Sequence, residues 1–345
     1  MEKVDVIVVG QGIAGSLLAM ELMKNGFSIR VFDDESKIKS SNAAAGLYNP
    51  ITGRKMVKTW LADQLFPGLS DYYVSIEKKL ESNFHHPIPI YRPFVSVEEQ
   101  NDWLGNSASP QYQPFIREIK TESFQIHGIQ DPYGGIVLER SGYIDLPTML
   151  RSIKEFLKNK GLIRPELFEI EQMQIDNEGI KYGEIFAGKV IFCEGTHVIH
   201  NPLWSDLKFR PVKGEVMDIL MQFDSNHIIN RGVFMIPVNG IVRVGATYDN
   251  KNLDHEVTTR GLNILKEKLE KIFRGDYDII RSWAGIRPAT FDRRPYIGFH
   301  KKFERIGIFN GFGTKGVSLV PFFAKLFVEN LLNKKELLPE VRLDR

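Results

Sequence analysis

Gly10-Gln11-Gly12-Ile13-Ala14-Gly15 has the spacing G-x-G-x-x-G, directly after the β-branched run Val4–Val9 and at the opening of a helical pattern. The chemistry such a turn supports is pyrophosphate binding. The first glycine permits a tight turn, the second lets backbone approach the phosphates, and the third lets the helix pack closely on the strand. Free N–H groups and the dipole at the helix start then favour negative charge. Asp33, with Asp34 beside it, ends the next strand roughly 20 residues further on, where a carboxylate can hold a ribose. An acidic group there repels the 2′-phosphate of NADP, and the turn alone does not choose between NAD and FAD.

Other chemistries find no matching pattern. Cys193 is the single cysteine, so an intrachain disulfide or a multi-cysteine metal centre is excluded. His197-x-x-His200 follows it with metal-like spacing, yet Cys193 closes an apolar strand pattern and reads as a small buried hydrophobe; no metal site is expected. The Gly-x-Ser-x-Gly elbow of triad hydrolases and the His-Glu-x-x-His of zinc proteases are both missing. Trp60, Trp103, Trp204 and Trp283 are scattered, as core or interface aromatics are.

The elements that must position these groups follow from hydrophobic periodicity. Val4–Val9 and Ile29–Phe32 read as buried parallel strands, with a helix over Gly12–Asn25 between them. Pro147–Lys160 and Thr258–Arg274 each place leucines and isoleucines on one helical face. Lys189–Cys193 and Ile306–Phe309 are further buried strands, and the second is followed by the glycine-rich turn Gly311–Gly316 and an apolar helix over Val317–Leu332. Pro87–Val97 alternates like a strand but carries prolines, which predicts an edge position. Gly134–Ile144 and Arg210–Met221 are also strand candidates. Asn239-Gly240 divides Val233–Tyr248 into a hairpin, since both residues tolerate positive φ. The pattern predicts an α/β nucleotide domain with an antiparallel α+β domain inserted in pieces.

Composition agrees with a globular enzyme. The 345 residues are 43% hydrophobic and 26% charged, with 45 Lys plus Arg against 43 Asp plus Glu, a net charge of +2. That balance does not suit a nucleic-acid wrapper or a polybasic membrane binder. No apolar stretch approaches the ~20 residues of a membrane span, and the N-terminus lacks the pattern of a signal peptide. A soluble, cytoplasmic protein is expected, with homo-oligomerisation left open.

Six separated stretches resemble the FAD-dependent D-amino acid oxidase family, especially its glycine oxidase-like members. In chain order they are Gly10–Gly15, Ser40-Ser41-Asn42-Ala43-Ala44-Ala45-Gly46-Leu47, Pro211-Val212-Lys213-Gly214-Glu215, Val244-Gly245-Ala246-Thr247, Trp283-Ala284-Gly285-Ile286-Arg287-Pro288 and Gly311–Gly316. The resemblance implies a Rossmann-like FAD-binding domain at 1–84, 140–208 and 286–345, and a substrate domain at 85–139 and 209–285. It implies noncovalent FAD, because the cysteine that holds flavin covalently in some relatives has no counterpart. The pyrophosphate would meet Ile13 and Ala14, the ribose Asp33, and phosphate or ribitol oxygens Ser40 and Ser41. Ala45, Gly46 and Leu47 would lie along the isoalloxazine edge, and Leu167 would offer its backbone to adenine. Gly313, Thr314, Lys315, Gly316 and Val317 would face the flavin N1–C2=O edge, where reduction places negative charge. Arg287 would grip a substrate carboxylate, a task suited to its planar, always-charged fork; otherwise it would be an ion-pair partner of Asp292. Lys315 would add positive charge, or else be a solvated loop lysine.

The implied reaction is hydride transfer from an amine carbon to FAD, followed by imine hydrolysis. Two positions depart from the glycine oxidase pattern. Phe234 replaces a substrate-facing tyrosine and Thr314 replaces an additional arginine, so both remove polar handles and point to a larger or less zwitterionic amine than glycine. Gly46-Leu47-Tyr48-Asn49-Pro50 and Gly313–Val317 also look like the FAD domain of the bacterial enzyme that trims carboxymethylaminomethyl-uridine in tRNA. Its substrate is again a secondary amine bearing a carboxylate. Basic segments such as Arg54–Lys58 and Arg293-Arg294 read as solvated faces, so a small-molecule amine is the expected partner and tRNA the alternative. A flavin-binding protein that has lost catalysis is the remaining alternative.

Overall fold

The structure is a computed structural model that describes residues 1–53 and 55–345. Arg54, the first residue of the basic run named above, lies outside them. The strand Glu2–Val9 has Ile29–Phe32 in parallel on one side and Ile185–Phe192 in parallel on the other. Ile163–Arg164 extends the sheet beyond Ile29–Phe32, and Ile306–Asn310 pairs in parallel with the end of Ile185–Phe192. Val6, Ile7 and Val8 are buried, as a strand covered on both faces requires. The helix Ile13–Lys24 is buried from Ala14 to Leu22 because it lies between the helices Leu146–Asn159 and Gly316–Leu331. Parallel strands end on one edge. That edge therefore gathers Gly10, Asp33, Glu194 and Gly311, the place where open α/β sheets bind ligands.

The second sheet runs in the order Asp278–Arg287, Val212–Leu220, Ile241–Gly245, Val233–Val238, Ile228–Arg231, Ile90–Pro93, Gly135–Leu138, Ile116–Lys120. It is antiparallel except where Ile228–Arg231 meets Ile90–Pro93. The hairpin turn Asn239-Gly240 has φ values of 48° and 84°, as its sequence predicts. The edge position expected for the proline-bearing strand is corrected: Ile90–Pro93 is internal, paired on both sides. Pro87 and Pro89 precede the ladder and Pro93 ends it, so the missing N–H groups fall outside the central pairs. Gly134–Ile144 divides into Gly135–Leu138 in this sheet and Gly142–Ile144 in a small separate one.

Register decides what this sheet offers. Val212 pairs with Arg287, Gly214 with Gly285, Val216 with Trp283 and Gly245, and Phe234 with Gly245. The two-residue period puts Gly214, Val216, Phe234, Gly245, Trp283, Gly285 and Arg287 on one face. Lys213 and Glu215 point the other way, towards the helix Thr259–Leu269, where Gly261 leaves room for the Glu215 carboxylate. The glycine-floored face docks on the short helix Ser40–Ala43. A Cβ on Gly285 would strike the Ala43 Cβ, Trp283 Nε1 donates to Ala43 O at 2.9 Å, and Ser40 Oγ donates to Ile286 O. The second sheet is thereby fixed beside the C-terminal strand edge of the first.

A Cβ on Gly15 would collide with the Gly10 carbonyl. Gly15→Ala should therefore destabilise the chain by roughly 1–3 kcal/mol, a typical overpacking cost. Its urea midpoint checks this, and an unchanged midpoint contradicts the close packing.

Candidate active site

The first glycine turn is shaped by contacts that exclude side chains. Gly10 has φ 97°, and a Cβ there would lie 2.7 Å from Cys193 O. Gly12 caps the helix start with no side-chain hydrogen bond, and its first turn holds no acid. Ser41 Oγ accepts from Ile13 N at 3.0 Å, while Ala14 and Gly15 follow within the buried helix. Asp33 is buried, takes the Gln11 N–H at 2.9 Å and pairs with Lys39 Nζ at 2.5 Å. It ties the turn to the strand end. Asp34 instead accepts from Ser36 N at 3.0 Å and Ser36 Oγ at 2.6 Å; the hydroxyl holds its carboxyl below the usual range. Leu167 is half-exposed and outside any strand, whereas its neighbour Phe168 packs on Phe32 and Tyr182. Gly46, with φ 72°, leaves no room for a Cβ beside Ile144 O, and Ala45 and Leu47 flank it half-buried.

The second glycine turn lies at the same sheet edge. Gly311 and Gly313 have φ of 85° and 55°, and the helix that begins at Gly316 again lacks a side-chain cap and an acidic first turn. Val317 O accepts from Tyr73 OH at 2.7 Å, and Thr314 is exposed. Lys315 is not a solvated loop lysine. Its Nζ donates to Thr59 Oγ1 at 2.7 Å and Thr52 Oγ1 at 3.0 Å. Burial lowers its pKa to about 8, with the Arg294 and Arg293 charges adding to the shift. Gly313 N donates to Pro288 O at 3.2 Å and Ala289 bridges to Phe312, so this turn is stitched to the end of the strand carrying Arg287.

Arg287 is half-buried on the glycine-floored face. Its Nη1 donates to Lys213 O and Thr247 O, each at 3.3 Å, and the Tyr248 ring centroid lies 4.7 Å from the guanidinium carbon. A Cβ on Gly214 would run into the guanidinium. Burial lowers the Arg287 pKa, but an arginine stays charged. The ion pair with Asp292 does not form: Asp292 pairs with Arg345 at 2.8 Å. Among the described residues no carboxylate lies within ion-pair distance of Arg287, which leaves a desolvated cation open to an anion. Phe234 is half-buried against Gly245 on the same face.

The sheet edge thus unites two glycine turns, a buried carboxylate and an open arginine. Lys39, Thr52, Thr59 and Tyr248 join them without a motif to announce them, although Tyr248 directly follows Val244-Gly245-Ala246-Thr247, whose Thr247 also joins the site. Glycine turns and a carboxylate at the ends of parallel strands are the arrangement of dinucleotide-binding folds. The profile of the FAD-dependent oxidoreductase (DAO) family matches residues 5–330. The glycine oxidase of Bacillus subtilis is 26% identical over 373 residues, covering 99% of this chain and 97% of that protein. The tRNA 5-methylaminomethyl-2-thiouridine biosynthesis bifunctional protein MnmC of Legionella pneumophila is 22% identical over 309 residues, covering 85% of this chain and 45% of its own length. The chain spans about half the length of that relative. Iminodiacetate oxidase from Chelativorans sp. shares the fold, with a TM-score of 0.78, 19% identity and 97% of each chain covered.

The chain belongs to the DAO family of FAD-dependent oxidoreductases. FAD is its cofactor, and the residues fit that group: neither N-cap residue has a capping side chain, neither first turn holds an acid, and Gly10 and Gly15 pack too closely on backbone for the first turn to carry side chains there. Among the described residues, no helix is long and apolar enough to cross a membrane.

Lys315 gives a pH test. The folded chain releases its proton near pH 8, while an unfolded chain holds it to about 10.4. Stability attributable to Lys315 therefore rises with pH across that window and is lowest below it. FAD-free protein should gain thermal stability between about pH 8 and 10 relative to Lys315→Met; parallel pH profiles would contradict the buried ammonium.

Proposed function

We propose that this chain oxidises the C–N bond of an amino acid or secondary amine that bears a carboxylate. The observation that carries the reading is Arg287, a largely desolvated guanidinium with no carboxylate partner among the described residues, on the face stitched to the second glycine turn. Lys213 O and Thr247 O occupy Nη1, so Nε and Nη2 remain for a two-pronged grip on a substrate carboxylate. That grip fixes the substrate's rotation and aims its Cα–H at the cofactor, an orientation worth up to ~7–11 kcal/mol of barrier. When bound, FAD supplies the hydride acceptor, and the imine product is hydrolysed by water.

The protein's own residues supply binding and electrostatics. Ile13 and Ala14 at the first helix start hold the pyrophosphate, with Ser41 oriented on the same turn. Asp33 faces the adenosine ribose beside Lys39. Backbone N–H groups of Gly313 to Val317, together with Lys315, present positive potential to the pyrimidine edge of the flavin. Phe234 adds an apolar side chain to the face that carries Arg287. The amine must enter neutral, and desolvation on binding favours that form.

A second reading keeps the same anchor and changes the carrier. Arg293 and Arg294 reinforce the positive field at Lys315, and Arg294 stacks on Trp60 at 4.1 Å. Such a rim suits a carboxylated amine delivered on an RNA, and the Legionella relative is named for tRNA 5-methylaminomethyl-2-thiouridine biosynthesis.

The test is anaerobic bleaching of the FAD-loaded protein by glycine, sarcosine, iminodiacetate, D-amino acids and modified tRNA. A carboxylated amine should bleach it, and Arg287→Ala should lower kcat/KM by roughly 2–4 kcal/mol, chiefly through KM. Unchanged kcat/KM removes the anchor, and bleaching by tRNA alone selects the second reading.

A further inference from the structure

The guanidinium of Arg287 is covered on two sides. One is the backbone of Gly214, so close that a Cβ would overlap the guanidinium nitrogens. The other is the ring of Tyr248, centred 4.7 Å from the guanidinium carbon. Tyr248 is 70% exposed, an unusual degree for a large aromatic, yet its backbone is not free. On one side, Thr247 N donates to Glu215 O at 3.2 Å, and Thr247 Oγ1 accepts from Glu215 N at 2.8 Å. On the other, Asp249 exchanges two backbone hydrogen bonds with Lys213, at 2.7 and 3.0 Å.

Behind the sheet the same stretch is fastened again. Lys213 is buried, its Nζ pairs with Asp254, and Glu215 Oε1 accepts from Thr258 N at 3.0 Å and Thr258 Oγ1 at 2.9 Å. The segment from 247 to 258 is therefore tied at both ends and along its back. An aromatic ring held in this way over a charge, with its outer face in water, is a contact surface awaiting a ligand.

We propose that Tyr248 is a specificity-determining residue that, with Gly214, confines Arg287 to planar anions: carboxylates enter in the plane of the guanidinium, and tetrahedral sulfonates and phosphonates are refused. The inference rests on the reading of Arg287 as the anion anchor. With Nη1 occupied by two carbonyls, only the edge formed by Nε and Nη2 is open. A carboxylate presents two oxygens in one plane and fits between the walls. A sulfonate carries a third oxygen out of that plane, into either the phenol ring or the Gly214 backbone. Phe234 cannot offer a hydroxyl on this face, so ring placement at Tyr248 carries the discrimination.

The probes are acetate and methanesulfonate, titrated into FAD-loaded protein and followed by the flavin absorbance change and by thermal shift. Wild type should bind acetate more tightly than methanesulfonate by roughly tenfold or more, the scale of a cation–π wall. Tyr248→Ala should weaken acetate and bring the two anions within about threefold of each other, while Tyr248→Phe keeps the preference. An unchanged preference in Tyr248→Ala, with acetate binding lost in Arg287→Ala, overturns the inference and leaves the anchor standing. Acetate binding that survives Arg287→Ala overturns both, because the anion then sits elsewhere.

Discussion

A half-buried positive charge with no negative partner among the described residues is the constraint around which this molecule is arranged. Arg287 lies across Gly214, gives Nη1 to two backbone carbonyls and meets no carboxylate among the described residues. Carbonyl dipoles compensate the guanidinium only in part, so the folded chain carries a standing preference for an anion at that point. The surrounding sequence makes the arrangement possible. Glycines at 214, 245 and 285 lower one face of the sheet, and Asp292, the nearest carboxylate in sequence, is held away by Arg345.

The second organising feature is the shared edge of the parallel strands. Because Val9, Phe32, Phe192 and Asn310 all end there, two helices begin beside one another, each without a cap or an acidic first turn. The Gly313–Pro288 hydrogen bond and the Ala289–Phe312 bridge join that edge to the arginine strand, and Ser40 and Ala43 join it to the middle of the same strand. The two glycine turns and the arginine strand are therefore directly linked to one another.

Much of this is legible in the sequence because it depends on local rules. G-x-G-x-x-G, the Asn239-Gly240 hairpin and the amphipathic helices over 146–159 and 259–269 follow from backbone sterics and periodicity. What the sequence withholds is set by pairing between distant segments. The internal place of Ile90–Pro93 depends on two strands far away in sequence, and a proline count cannot reveal which N–H groups the ladder needs. Lys315 reads equally well as solvated or buried until Thr52 and Thr59 are brought to it. Asp292 is five residues from Arg287, and only the position of the C-terminal Arg345 decides that they do not pair. Tyr248 is adjacent to a motif, but its ring is placed by register and by Lys213 behind the sheet.

The chemistry depends on where an acid group sits relative to the flavin. A crystal structure of the FAD-loaded protein soaked in acetate measures this directly. The carboxylate should bridge Nε and Nη2 of Arg287 in the guanidinium plane, with its methyl group directed at the isoalloxazine ring. A flavin ring facing another surface, or acetate bound away from Arg287, would contradict it.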